Sequence, residues 1–98
     1  MAATLTGFVQ PLAITLGAAN VATKVNIPSF TTAIWIQFLA ANGKIAYTGT
    51  DGGAVSANNF LLQQDELVQL QHRGDQPIYL ASATPGTVVT VCAWDRSE

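Results

Sequence analysis

The stretch Asn20–Ile27, with the sequence NVATKVNI, decides the fold class of this 98-residue chain. Its side chains alternate in character, so that Val25 and Ile27 fall on one side while Lys24 and Asn26 fall on the other. A period of two is typical of half-buried β-strands, because successive side chains leave a strand on opposite sides. We therefore predict a strand here, and the same alternation recurs along most of the chain.

The recurring alternation predicts a sheet protein without helices. The alternating segments are 12–16, 20–27, 32–40, 44–48, 66–71, 78–82 and 87–94, and residues 60–62 add a short apolar element. Turn-forming residues separate them, as at Pro28-Ser29 and Pro85-Gly86, and no segment has a convincing helical period. About seven or eight strands joined by short turns predict an all-β fold, a single small antiparallel β-sandwich or jelly-roll-like barrel.

The length of the chain allows one domain, which the sequence divides into two parts. Residues 1–11 are predicted to be an N-terminal arm or edge strand, because Pro11 has no amide hydrogen to donate to a strand ladder. Residues 12–98 are predicted to form the β-sandwich domain. We expect the arm either to pack on its own sandwich or to add as a strand to a neighbouring chain.

The dipeptide Asn42-Gly43 lies between two alternating apolar segments. Both residue types tolerate the positive φ angles of tight turns. We therefore predict a hairpin in which residues 44–48 pair back on residues 32–40. The segment 32–40 is apolar on both faces, which indicates a central strand or a strand whose outer face meets another chain.

The composition excludes several classes of function. Only 10% of the residues are charged, 49% are hydrophobic, and the net charge is −2. The Lys and Arg residues are scattered, so no basic stripe predicts nucleic-acid binding. The apolar runs are far too short to span a membrane. With so few charges, much of the surface must be covered by something else, which makes the chain a candidate building block of an assembly.

The side chains that catalysis requires are scarce. His72 is the only histidine, so a two-histidine metal site cannot be built within one chain, and we expect His72 to be a solvated turn residue. Asp65 and Glu66 are adjacent and would point to opposite faces of a strand. No serine has a nucleophile-elbow context. We therefore predict no catalytic, metal-binding or cofactor-binding residues, no cofactor and no enzymatic activity.

Cys92 is the only cysteine, which excludes an intrachain disulfide. Its apolar neighbours Val91 and Ala93 predict a buried, inert thiol. A chain without a disulfide framework is compatible with synthesis in a reducing cytosol.

The tryptophans supply the candidate interface. Trp35 and Trp94 each fall on the strand face opposite the clearest apolar set. An outward tryptophan with a neighbour such as Leu39 would form a patch that a monomer rarely exposes, and such aromatics are typical anchors of protein interfaces. With Phe8 of the arm added, the candidate interface residues are Phe8, Trp35, Leu39 and Trp94. Outward aromatics can alternatively stack on sugar rings.

Residues 47–94 carry a series of short motifs in a fixed order. These are Tyr47-Thr-Gly, Gly53-Ala-Val-Ser-Ala, Phe60-Leu-Leu, Asp65-Glu-Leu-Val, Pro77-Ile-Tyr-Leu-Ala and Gly86-Thr-Val-Val-Thr-Val. Together they resemble small β-sandwich proteins of tailed-bacteriophage virions, a group that includes capsid decoration (cement) proteins and similar head or tail accessory proteins. The resemblance covers about half of the chain.

The resemblance implies a non-enzymatic virion protein. Among such proteins, the resemblance favours a capsid decoration protein, which stabilises the head by binding the major capsid protein or another virion protein. It also implies a homo-oligomer, with a trimer favoured, on the capsid surface after synthesis in the host cytoplasm. The alternative is a carbohydrate- or receptor-binding module of a phage tail or surface appendage.

Overall fold

The computed structural model describes residues 2–5, 11–29, 31–55, 58–72 and 76–94. Within these ranges the chain forms nine β-strands and no helix. In chain order the strands are β1 (Ala2–Thr4), β2 (Leu12–Thr15), β3 (Thr23–Asn26), β4 (Ala33–Leu39), β5 (Gly43–Ala46), β6 (Phe60–Leu62), β7 (Leu67–Gln71), β8 (Ile78–Ala81) and β9 (Val88–Trp94).

The strands form two sheets. A five-stranded sheet has the order β1-β3-β8-β5-β6, and a four-stranded sheet has the order β2-β9-β4-β7. All pairings between these strands are antiparallel except that of β1 with β3, which is parallel. The fold is therefore all-β and is a small β-sandwich, as the alternation predicts. The strand beyond the expected seven or eight is β1.

One core fills the space between the sheets, and alternate positions of each strand supply its side chains. The fully buried members are Val25, Ile45, Ile78 and Leu80 from the five-stranded sheet and Ile34, Ile36, Phe38, Val89, Val91 and Ala93 from the four-stranded sheet. Because burial of apolar surface is the dominant favourable term in folding, this shared core joins the two sheets into one unit.

The hairpin predicted at Asn42-Gly43 is wrong. β4 pairs with β7 and β9, whereas β5 pairs with β6 and β8 in the other sheet. The chain therefore crosses from one sheet to the other after Leu39, with Ala40 at a φ of 68°. A turn signal reports local backbone freedom, and it does not determine which sheet the next strand joins. Gly43 instead allows the backbone to pass close to the Phe38 ring, because a Cβ there would lie 1.9 Å from Cε2 of Phe38.

The first residues of the predicted arm lie on the chain's own sandwich. β1 is an edge strand of the five-stranded sheet. The chain continues this contact at Leu5, whose side chain is buried and whose N–H donates to Asn26 O at 3.0 Å. Ala2 to Leu5 are thus held within the chain and are not extended toward a neighbour. Phe8 lies outside the described residues.

Candidate interaction surface

The four-stranded sheet has one face on the core and one face outward. Strand register places these side chains on the outer face, where all but the buried Ala33 are exposed or half-buried: Ala13, Thr15, Ala33, Trp35, Gln37, Leu39, Leu67, Gln69, Gln71, Val88, Thr90, Cys92 and Trp94. None of them is an acidic or basic residue. We call this set the uncharged face.

Two tryptophans stack on the uncharged face. Trp35 on β4 is opposite Cys92 on β9, and Trp94 is opposite Ala33, so the two rings are diagonal neighbours. Their centroids are 5.4 Å apart and their planes differ by 14°. Trp35 is 36% exposed and Trp94 is half-buried. Both rings therefore point outward, as the alternation predicts, and form one rigid aromatic surface.

Leu39 lies at the other end of the uncharged face. It is half-buried opposite Val88. Together with the turn 84–87, these residues line a shallow depression of about 310 Å³. Leu39 and Trp35 are separated by about 13 Å along β4, given the rise of a strand. The structure therefore places both on the same face but not in contact, with Gln37 between them on β4.

The outer face of the five-stranded sheet has a different character. Lys24 on β3 and Lys44 on β5 are at outward positions, between buried neighbours in their strands. Asp51 Oδ1 accepts a hydrogen bond from the backbone N–H of Lys24 at 3.0 Å. This hydrogen bond holds the pKa of the Asp51 carboxyl below its ordinary value, because it favours the charged form. The two outer faces of the sandwich thus differ in charge.

Further apolar side chains are exposed where the sheets end. β6 and β7 are edge strands of the two sheets, and residues 63–66 connect them. Phe60 is 51% exposed, Leu61 74% and Leu67 64%. Natural edge strands are commonly protected by charge, proline or a bulge. Leu67 belongs to the uncharged face, and Phe60 and Leu61 add a second apolar region that a partner could cover.

His72 is not the solvated turn residue that we predicted. It is 9% exposed, and its ring centroid lies 5.7 Å from that of Tyr47. Its backbone N–H donates to Thr32 O at 2.9 Å, which extends the β4–β7 ladder by one residue. The strand period could have indicated this burial, because Val68 and Leu70 point inward and His72 follows in the same phase.

Cys92 also differs from its prediction as a buried thiol. It is half-buried and points outward, between Thr90 and Trp94 on the uncharged face. Its sequence neighbours Val91 and Ala93 are fully buried because they occupy the inward positions of β9. Strand phase, and not the character of adjacent residues, determines its environment.

Among the described residues, no group of three or more His, Cys, Asp or Glu side chains is arranged to hold a metal ion. No helix in the described ranges is long and apolar enough to cross a membrane. No protein-family model matches the chain, and no curated protein or solved structure matches it. The character of the surface is therefore the guide to function.

Proposed function

We propose that this chain is a non-enzymatic structural protein that buries its uncharged face against other protein subunits, and that it serves as a capsid decoration protein of a tailed bacteriophage. The observation that supports this is the stacked Trp35–Trp94 pair on a sheet face without charged side chains. The centres of protein interfaces are depleted in charge and enriched in aromatic residues. The resemblance of residues 47–94 to virion proteins supplies the biological setting.

A decoration protein stabilises a shell through binding alone. Burial of the Trp35 and Trp94 rings against the major capsid protein, or another virion protein, contributes roughly 25 cal/mol for each Å² of apolar surface removed from water. Since the two rings are already stacked on a rigid sheet, little side-chain freedom is lost on binding. Assembly as a homo-oligomer gives each particle several such contacts and raises the overall avidity.

Binding to phage heads tests this proposal. We expect the protein to co-sediment with expanded tailed-phage heads that lack a decoration protein. Trp35→Ala should weaken this binding by about tenfold or more, as expected for an interface anchor. Because Trp35 is only 36% exposed and stacks on Trp94, the change should also lower the thermal midpoint, so binding is compared at a temperature where both proteins are folded.

Lys44→Ala, on the outer face of the other sheet, is the matched control and should bind like the unmodified protein. Equal binding by Trp35→Ala, Trp94→Ala and Lys44→Ala would refute a role for the uncharged face.

A carbohydrate-binding module is the second candidate. Trp35 is opposite Gln69 on β7 and two residues from Gln37, so amide groups flank its exposed ring. An aromatic platform beside hydrogen-bonding groups suits a sugar ring. Titration of tryptophan fluorescence with a panel of glycans tests this function. Saturable binding that Trp35→Ala abolishes, without binding to phage heads, would replace the first proposal.

A further inference from the structure

We propose that β7 pairs with β7 of a second copy of this chain, antiparallel about a twofold axis at Gln69. The two four-stranded sheets then become one continuous sheet. This inference goes beyond the proposed function, because it requires no partner other than the chain itself.

The edge formed by β7 lacks the usual protection against pairing. The strand has the sequence LVQLQ, with no charged residue and no proline. Its register with β4 is continuous from Leu67 to Gln71, so no bulge turns the edge away. Edge strands with these properties readily accept another strand.

The direction of the backbone groups follows from one hydrogen bond. The N–H of His72 donates to Thr32 O at 2.9 Å, so at this residue the backbone faces β4. Successive residues of an extended strand turn their backbone groups to opposite sides, and those of Leu70 and Val68 therefore face β4 as well.

The remaining residues of β7 consequently present their N–H and C=O groups away from β4. These residues are Leu67, Gln69 and Gln71. The Tyr47 hydroxyl, which reaches Gln71 O at 2.7 Å, approaches from outside the four-stranded sheet and agrees with this direction.

A twofold axis at Gln69 matches these groups. Gln69 then faces Gln69 of the second copy, and Leu67 faces Gln71. In pairs of this type the two residues exchange both backbone hydrogen bonds. The Gln71 carbonyl can keep its bond from Tyr47, because a carbonyl oxygen has two lone pairs. Any other antiparallel register would pair fewer of these groups.

The charges that flank β7 favour the same orientation. Asp65 and Glu66 precede the strand, and both side chains are exposed. Antiparallel pairing about Gln69 puts Glu66 opposite His72 of the second copy, so the acidic residues of the two strands lie at opposite ends of the pair. A parallel pair would instead bring the acidic ends together, and like charges on neighbouring strands are destabilising.

Disulfide trapping tests the register. In a Cys92→Ser background, Gln69→Cys places two thiols at the axis, with Cα atoms about 5.5 Å apart, within the range of a disulfide. Leu67→Cys is the matched control, because its two copies would be about 13 Å apart. With oxidised glutathione as the oxidant, we expect a covalent dimer on a non-reducing gel for Gln69→Cys only. No dimer, or equal dimer from both variants, would overturn the inference.

Mass measurement tests the contact itself. By light scattering over a concentration series, the unmodified chain should form a dimer, and Gln69→Thr should preserve it. Gln69→Lys should give a monomer with an unchanged circular dichroism spectrum, because two positive charges would face each other at the axis. An unmodified chain that is a monomer at every concentration, or a trimer, would overturn this pairing and leave the phage-head experiment unaffected.

Discussion

At the scale of single residues, Gly43 shows how a missing side chain determines the path of the backbone. An ideal Cβ at this position would lie 1.9 Å from Cε2 and 2.2 Å from Cδ2 of Phe38. Phe38 is fully buried in the core between the sheets, so its ring has little room to move aside. The first residue of β5 can therefore pass over this ring only without a side chain.

Gly43→Ala should destabilise the protein by about 1–3 kcal/mol, as overpacking of a filled core does. Gly17→Ala is the matched control, since nothing lies within 4 Å of its added Cβ, and should change the free energy of unfolding by about 0.5 kcal/mol at most. Urea unfolding of the two variants measures the difference. A similar effect of both changes would contradict the close approach to Phe38.

The sequence could predict which side chains of each strand point outward, because this depends only on the alternation within the strand. It placed Trp35 and Trp94 outward from the alternation alone, and the structure brings their rings together. His72 and Cys92 were misjudged because their environments were inferred from adjacent residues. The stacking itself was not predictable, because it depends on the register of β4 with β9, which are far apart in the chain.

At the scale of elements, Tyr47 links the end of β5 in one sheet to β7, an edge strand of the other sheet. It follows β5 of the five-stranded sheet, and its hydroxyl donates to the carbonyl of Gln71 on β7 of the other sheet at 2.7 Å. Burial raises the pKa of the Tyr47 hydroxyl above its ordinary value of 10.0, because the phenolate is poorly solvated there.

Stability should therefore decline as the pH rises above about 10, where tyrosine in the unfolded chain ionises before Tyr47 in the folded protein. Below that pH the contribution is complete. Tyr47→Phe should cost about 0.5–1.5 kcal/mol at neutral pH through the lost hydrogen bond, and should lessen the alkaline decline. Urea unfolding at neutral and alkaline pH measures both effects. An undiminished decline in Tyr47→Phe would contradict this role.

The existence of most strands was predictable, whereas their partners were not. Alternation is a local property that each segment carries by itself. Pairing depends on segments far apart in the chain, as when β2 joins β9 and β3 joins β8. The error at Asn42-Gly43 had this origin, because β4 and β5 are consecutive in sequence yet belong to different sheets.

At the scale of the whole molecule, non-local pairing should govern folding. Most neighbours in both sheets are distant in sequence, and such topologies fold in about milliseconds to seconds. Because one core joins the sheets, we expect a single cooperative transition. Stopped-flow fluorescence can follow it, since the Trp35–Trp94 stack requires β4 and β9 to pair. Microsecond folding, or separate transitions for the two sheets, would contradict this expectation.

The positions of β8 and β9 also bear on how the chain is made in a cell. β8 lies between β3 and β5, and β9 lies between β2 and β4, so the strands that leave the ribosome last among the nine occupy the interior of each sheet. A nascent chain that has reached only β7 cannot close its core and leaves its apolar strands exposed. The sandwich can therefore close only once β9 has been synthesised, and the chain before that point is the form most exposed to aggregation.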